Sequence, residues 1–324
     1  MLGSTARWPL AGVVRVAVAA LSGLLLPLLA ATTVQAGEDV RTMTRDGVER
    51  RFIVVDPSEA PGPKPLVIVL HGGGGNVDVM RRVGFEPIAQ ADNLLVVYPQ
   101  GQGNGWRDGR GGKVLSDRSG EVDDVAFLTA IMDTLIAEGR ADPKRIYVLG
   151  ASNGGMMSLR MACDRAERLA GIVAIIALLP EDMEAACKPA EPVPMMLMVG
   201  TADRFVPFAG GPVAGFLNDE RGGVVSYERT IAVLLAANDC VGEPATTALP
   251  DPFDDGVRTS RLDWKACAPR GQITVLRMEG AGHGWPGKPR PSTGRPIEAM
   301  RGTVSRDFDG AQVAWDFLRG QSRP

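Results

Sequence analysis

The chain has 324 residues and carries 35 Lys and Arg against 38 Asp and Glu, a formal net charge of −3. That balance excludes a basic, phosphate-tracking nucleic-acid binder, and 45% hydrophobic with 23% charged residues excludes a largely disordered polymer. Forty glycines and twenty-four prolines follow no G-X-Y period, and no repeat suggests a solenoid or propeller.

Residues 1–36 read as a secretory signal peptide. Arg7 and Arg15 make a positive start, and no acidic residue precedes Glu38. Val16 to Ala31 is almost wholly apolar, and Val34-Gln35-Ala36 gives the small-x-small pattern of a cleavage site. The alternative is an uncleaved membrane anchor, against which Pro27 and the cleavage pattern both argue. Removing 36 of 324 residues leaves 288, and losing Arg7 and Arg15 takes the charge from −3 to −5. Residues 37–324 are then expected to form one domain, secreted to the periplasm or the medium, with no membrane attachment after cleavage.

The exported part opens on a hairpin: Arg41 to Arg45 and Val48 to Val55 flank Asp46-Gly47, a dipeptide suited to a tight turn. Short, continuous apolar runs follow at Leu66 to Leu70, Leu94 to Tyr98, Ile146 to Leu149, Gly171 to Ala177, Met195 to Val199 and Ile273 to Met278. They lack the alternation of half-exposed strands and fit a parallel sheet covered on both faces. Helical spacing marks Val122 to Glu138, Asn153 to Ala166, Ser226 to Ala237 and Phe308 to Leu318. Strands alternating with helices predict an α/β fold, a doubly wound, mostly parallel sheet with helices on both faces.

Four cysteines, Cys163, Cys187, Cys240 and Cys267, allow three disulfide pairings in an oxidising compartment. Proximity in sequence favours Cys163–Cys187 and Cys240–Cys267. No CxxC occurs and there are two histidines, so a metal site is not indicated.

Gly150-Ala151-Ser152-Asn153-Gly154 lies between a predicted strand and a predicted helix, the setting of a sharp turn that presents a serine hydroxyl above a sheet. Twelve serines among forty glycines would produce this Gly-x-Ser-x-Gly spacing by chance about 0.2 times, and the strand–helix setting makes chance rarer still. Ser158, within the following helix, reads as ordinary helix filler. A serine needs a base to act as a nucleophile. His283, in Gly280 to Gly287, follows the last predicted parallel strand and is the candidate; a loop histidine bonded to backbone is the bland alternative. His71, before Gly72 to Gly75, reads as a structural residue that holds a glycine loop able to supply oxyanion N–H groups. Between serine and histidine the acid is expected at Asp203, directly after the strand Met195 to Val199; Asp182, Asp219, Asp239, Asp254 and Asp255 lie in looser contexts. Asp123-Asp124 precedes the serine and is expected to cap its helix or brace neighbouring loops.

With these motifs in order, the chain resembles α/β-hydrolase esterases of the poly(3-hydroxybutyrate) depolymerase and feruloyl esterase group, carbohydrate esterase family 1. The resemblance rests on Val69 to Gly74, Tyr98 to Gly101, Trp106 to Arg110, Val122 to Val125, the Ser152 turn, Gly200 to Asp203 and Gly282 to Gly287, spanning about residues 64 to 290. Several relatives carry another residue in place of Gly73. The resemblance implies that Ser152 is the nucleophile, His283 the base and then acid, and Asp203 its orienting partner. Backbone N–H groups of Asn153 and of the Gly72-Gly73 loop then hold the oxyanion. It supports the same cysteine pairing and implies an ester substrate, no cofactor and no metal. A polyester depolymerase and a serine peptidase are the alternative chemistries; a non-catalytic carbohydrate or polymer binder is the alternative class. Trp106 and Trp285 are candidate substrate-binding faces, with loop packing as the other reading. Their flat rings would favour hydroxycinnamoyl and short soluble esters over 3-hydroxybutyrate oligomers, and those over solid polymer.

Overall fold

Asp46 and Gly47 adopt φ of 51° and 73°, the left-handed pair that matches a tight turn to strand twist. They join β1 (Gly37–Arg45) to β2 (Val48–Asp56) in an antiparallel hairpin whose outer strand is largely exposed. The computed structural model describes residues 37–58, 62–111, 122–214, 221–288 and 296–324, with Gly3 and Ala60. The expected signal peptide and the candidate acid Asp219 lie outside the described residues.

The apolar runs form β3 (Lys64–Leu70), β4 (Leu95–Pro99), β5 (Ala141–Ala151), β6 (Gly171–Ile175), β7 (Met195–Gly200) and β12 (Ile273–Glu279). They pair in parallel in the order β4-β3-β5-β6-β7-β12. β2 joins antiparallel beside β4. At the other edge β11 (Arg258–Trp264) and β10 (Ala245–Ala248) add antiparallel strands, completing a ten-stranded sheet. Neither was expected from sequence, because neither contains an apolar run; β11 is a strand by pairing with β12, and β10 by pairing with β11. A separate ribbon joins β8 (Gly211–Pro212) to β9 (Gly223–Val224).

Successive side chains of β3 show why its sequence is apolar throughout. Leu66, Ile68 and Leu70 enter one buried cluster, while Val67 and Val69 enter another across the sheet. The first cluster takes Leu128 and Ile131 from α3 (Asp124–Ala137), Met156 and Leu159 from α4 (Asn153–Asp164), and Leu234 from α5 (Tyr227–Ala237). The second takes Met80 from α1 (Val77–Arg81), Phe85 and Ile88 from α2 (Phe85–Asp92), and Trp315 and Phe317 from α7 (Gly310–Leu318). α6 (Pro296–Arg301) precedes α7. The short α1 and α2 were not expected from sequence, since neither is long enough to display a helical period.

Helix starts follow their capping chemistry. Asp123, Ser226 and Asp309 accept N–H bonds from Ala126, Arg229 and Ala311 at 3.0, 3.3 and 2.9 Å. Cys163 at the end of α4 is bonded to Cys187, and Cys240 after α5 to Cys267 after β11, with Cα separations of 4.8 and 3.8 Å. Among the described residues no helix is long and apolar enough to cross a membrane.

Candidate active site

The carboxyl ends of β5, β7 and β12 converge on one point. Ser152 follows β5 with φ 56° and ψ −123°, a strained conformation costing about 1–3 kcal/mol for a residue with a side chain. Two glycines make the turn feasible. A Cβ on Gly150 would lie 2.5 Å from the Gly154 carbonyl oxygen, and one on Gly154 would lie 2.5 Å from that of Leu70. Strand, turn and helix are thus pressed against β3 more closely than any side chain permits. The Ser152 N–H donates to the Ile175 carbonyl at 2.9 Å, which ties the turn to β6.

His283 reaches the serine from the loop after β12. Its Nε2 lies 3.0 Å from Ser152 Oγ and its Nδ1 lies 2.7 Å from Asp203 Oδ2. In the neutral tautomer fixed by that carboxylate, Nδ1–H donates to Asp203 and Nε2 accepts from the serine hydroxyl. Asp203 is 7% exposed, and its Oδ1 accepts N–H bonds from Phe205 and Val206 at 2.8 and 2.9 Å. Phe205 packs against the imidazole, ring centroids 5.1 Å apart. The loop backbone is held by N–H bonds from Gly282 to Thr303 O and from His283 to Arg301 O, 2.7 and 2.5 Å. Among the described acids weighed from sequence, Asp182 instead accepts from Gly111 N–H, and Asp255 from the N–H groups of Val257 and Arg306.

On the other side of the serine, the His71 loop abuts the turn. A Cβ on Gly72 would lie 3.5 Å from Ser152 Cβ, and one on Gly73 the same distance from Asn153 Cβ. Gly74 and Gly75 spend their N–H groups on Asn104 O and Gly72 O, at 2.7 and 2.9 Å. His71 itself is 1% exposed, and burial pulls its imidazole down to about 4, so it is neutral near pH 7. Its Nδ1–H donates to Gly72 O and its Nε2 accepts from Gly101 N–H, both at 2.9 Å.

Trp106 and Trp285 do not present substrate faces; this part of the sequence reading is corrected. Trp106 is fully buried, its indole N–H donating to His71 O at 2.8 Å and its ring 5.0 Å from the His71 ring. Trp285 is 8% exposed and belongs to the core on the α7 side, against Gly310. Large apolar rings flanking short loops gained more from burial under those loops than from facing solvent. The preference for aryl over hydroxyalkanoyl groups argued from these rings therefore loses its basis.

Side-chain linkages below the loops include the bracing role expected of Asp124, with partners that the sequence does not show. Asn153 accepts from Trp106 N–H at 2.8 Å and donates to Trp106 O and Asp108 Oδ2 at 2.9 and 2.6 Å. The buried Asp108 pairs with Arg110 at 2.8 Å. Asp124, fully buried, pairs with Arg50 at 2.6 Å and accepts from Arg107 N–H at 2.7 Å; desolvation raises its carboxyl above the usual range. Besides Asp123-Asp124, the density of Arg and Asp in Trp106 to Arg110 was an available signal, but partners 17 to 74 positions away are invisible to local spacing.

Comparison with known proteins agrees with this architecture. The sequence model of the Phospholipase/Carboxylesterase family matches residues 109–215. The putative esterase NocK of Nocardia uniformis subsp. tsuyamanensis is 32% identical over 270 residues, 80% of this chain and 75% of that protein. A probable feruloyl esterase C of Aspergillus niger is 28% identical over 174 residues; the match spans 51% of this chain and 58% of that relative. The acetyl xylan esterase of Aspergillus awamori shares the fold, with a TM-score of 0.53 at 13% identity over 81% of this chain and 98% of its own. Sheet order, strand-to-helix turn and sequence similarity lead to one assignment: the chain belongs to the α/β-hydrolase esterases that its motifs resemble, and it is a carboxylic ester hydrolase.

Proposed function

We propose that the chain hydrolyses esters through a Ser152–His283–Asp203 triad and an acyl-enzyme. The observation that carries the reading is the unbroken line of contacts, 3.0 Å from serine to imidazole and 2.7 Å from imidazole to carboxylate. Ser152 Oγ attacks the ester carbonyl as its proton passes to His283 Nε2, and Asp203 stabilises the imidazolium. The oxyanion takes hydrogen bonds from the backbone N–H groups of Asn153 and of Gly72 or Gly73; the N–H of Gly74 is already engaged. Collapse of the tetrahedral adduct breaks the bond to the alkoxy group, which leaves as the alcohol with the proton from His283. Water then repeats the cycle on the acyl-enzyme, with His283 as base, and frees the acid and the serine.

The substrate class in this reading is a soluble hydroxycinnamoyl, acetyl or 3-hydroxyalkanoyl ester. Export through the signal peptide at residues 1–36 belongs to the same reading, supported by the two disulfides, which persist in oxidising compartments. The test is kcat/KM on methyl ferulate, an acetylated xylo-oligosaccharide and a hydroxybutyrate trimer, with Ser152→Ala as the blank. Ser152→Ala is expected to remain folded and lose about 10⁴-fold or more in kcat. A fully active Ser152→Ala enzyme refutes the mechanism. A trimer preferred by more than about tenfold, roughly 1.4 kcal/mol of transition-state binding, identifies a depolymerase-type specificity.

A further inference from the structure

One residue at the carboxyl edge of the sheet stands in a conformation its side chain disfavours. Ile176, just beyond β6, has a φ of 47°. The left-handed region is costly for a β-branched residue; such positions persist only where surroundings enforce them, and they gather at functional sites. The enforcement is visible on both sides. The preceding carbonyl, of Ile175, accepts the Ser152 N–H at 2.9 Å, and the Ile176 N–H donates to Met198 O on β7 at 2.7 Å. In the sheet order β5-β6-β7, Ile176 therefore ends the strand that His283 must span between Ser152 and Asp203.

Ile176 is 5% exposed and belongs to the core cluster of Met198 and Trp285; together with Leu178, Val199, Val206 and Phe208 it also borders a small recess of about 10 Å³, room for about one water. Asp203 contributes the one charged side chain of that lining. Its Oδ1 is occupied by two backbone N–H groups, which leaves Oδ2 for His283. Water admitted to the recess would compete with the imidazole for Oδ2 and loosen the ring that must lie in line with Ser152.

We propose that Ile176 is a positioning residue: its enforced left-handed backbone sets an apolar, branched residue in the wall beside Asp203, keeping water from the carboxylate that orients His283. The proposal rests on the triad reading above. The experiment compares Ile176→Gly, which accepts the φ but removes the side chain, with Ile176→Val, which keeps the branched apolar group. Each variant is assayed on 4-nitrophenyl acetate well below its own unfolding temperature, with the low-field proton resonance of the His283–Asp203 bond recorded alongside. Ile176→Gly is expected to lower kcat about 10- to 100-fold, as small misplacements of catalytic groups do, with KM changed less than about twofold and the resonance broadened by exchange with water. Ile176→Val is expected to keep kcat within about threefold and the resonance sharp. If Ile176→Gly does not fold, Ile176→Ala takes its place with the same expectation. A folded Gly or Ala variant with kcat within about twofold and a sharp resonance overturns the proposal, as does a loss that follows only the folded fraction. Ser152→Ala run in parallel separates the two readings. If it retains activity the triad reading fails; if it is inactive while the Ile176 variants are normal, only this proposal fails.

Discussion

Acid should destabilise this protein through His71, a histidine outside the proposed triad. Buried beneath the Gly72 to Gly75 loop, its imidazole is lowered from the ordinary 6.5 to about 4. The unfolded chain therefore binds a proton between those values that the folded chain refuses, so stability is lost as pH falls through the window from about 6.5 to about 4. At about 1.36 kcal/mol per pKa unit, the loss is about 2 kcal/mol at pH 5 and about 3 kcal/mol by pH 4. Protonation would place a second N–H on Nε2, facing the Gly101 N–H that now donates to it, and break the bond holding the His71 and Gln100-Gly101 loops together. His71→Gln removes the titration. Other groups still titrate in both proteins, among them Asp124, whose raised carboxyl acts in the opposite sense, so the difference between the two proteins isolates His71. The assay is urea unfolding of wild type and His71→Gln at pH 7, 6, 5 and 4.5. The variant is expected to start less stable and to lose about 2 kcal/mol less than wild type between pH 7 and pH 5. Parallel stability curves for the two proteins would refute the argument.

Asp203→Asn should keep the fold and cost about 10³- to 10⁴-fold in kcat by favouring the wrong imidazole tautomer, read in steady-state ester hydrolysis. Gly154→Ala drives a methyl group against the carbonyl oxygens of Leu70 and His71, at 2.5 and 2.6 Å; about 1–3 kcal/mol of stability should go, with loss of activity, measured by thermal unfolding and assay. Arg50→Leu strands Asp124 as an unpaired buried carboxylate and should cost about 3–5 kcal/mol in urea unfolding, whereas replacing both partners with apolar residues should cost much less.

Local chemistry made much of this molecule readable from its sequence. Runs such as Leu66 to Leu70 had to be doubly covered strands, because five consecutive apolar side chains point to both faces. The glycines around Ser152 announced a turn in which backbone packs on backbone, and Asp46-Gly47 announced a hairpin. Those signals are carried by neighbours along the chain, which is why the α/β architecture could be read from them and Ser152, Asp203 and His283 could be named as candidates. Tertiary structure decided the rest. Trp106 and Trp285 look alike in sequence to an exposed aromatic platform, and only the packing of Asn153, His71 and Gly310 around them puts them inside. The polar strands β11 and β10 exist because β12 offers an edge for β11, and β11 in turn offers one for β10. Arg50 finds Asp124 across 74 positions, and Ile176 takes its left-handed turn because hydrogen bonds engage the backbone on both sides of it. A chain encodes its local preferences residue by residue, but burial, long-range pairing and enforced strain arise only once distant segments share the same space.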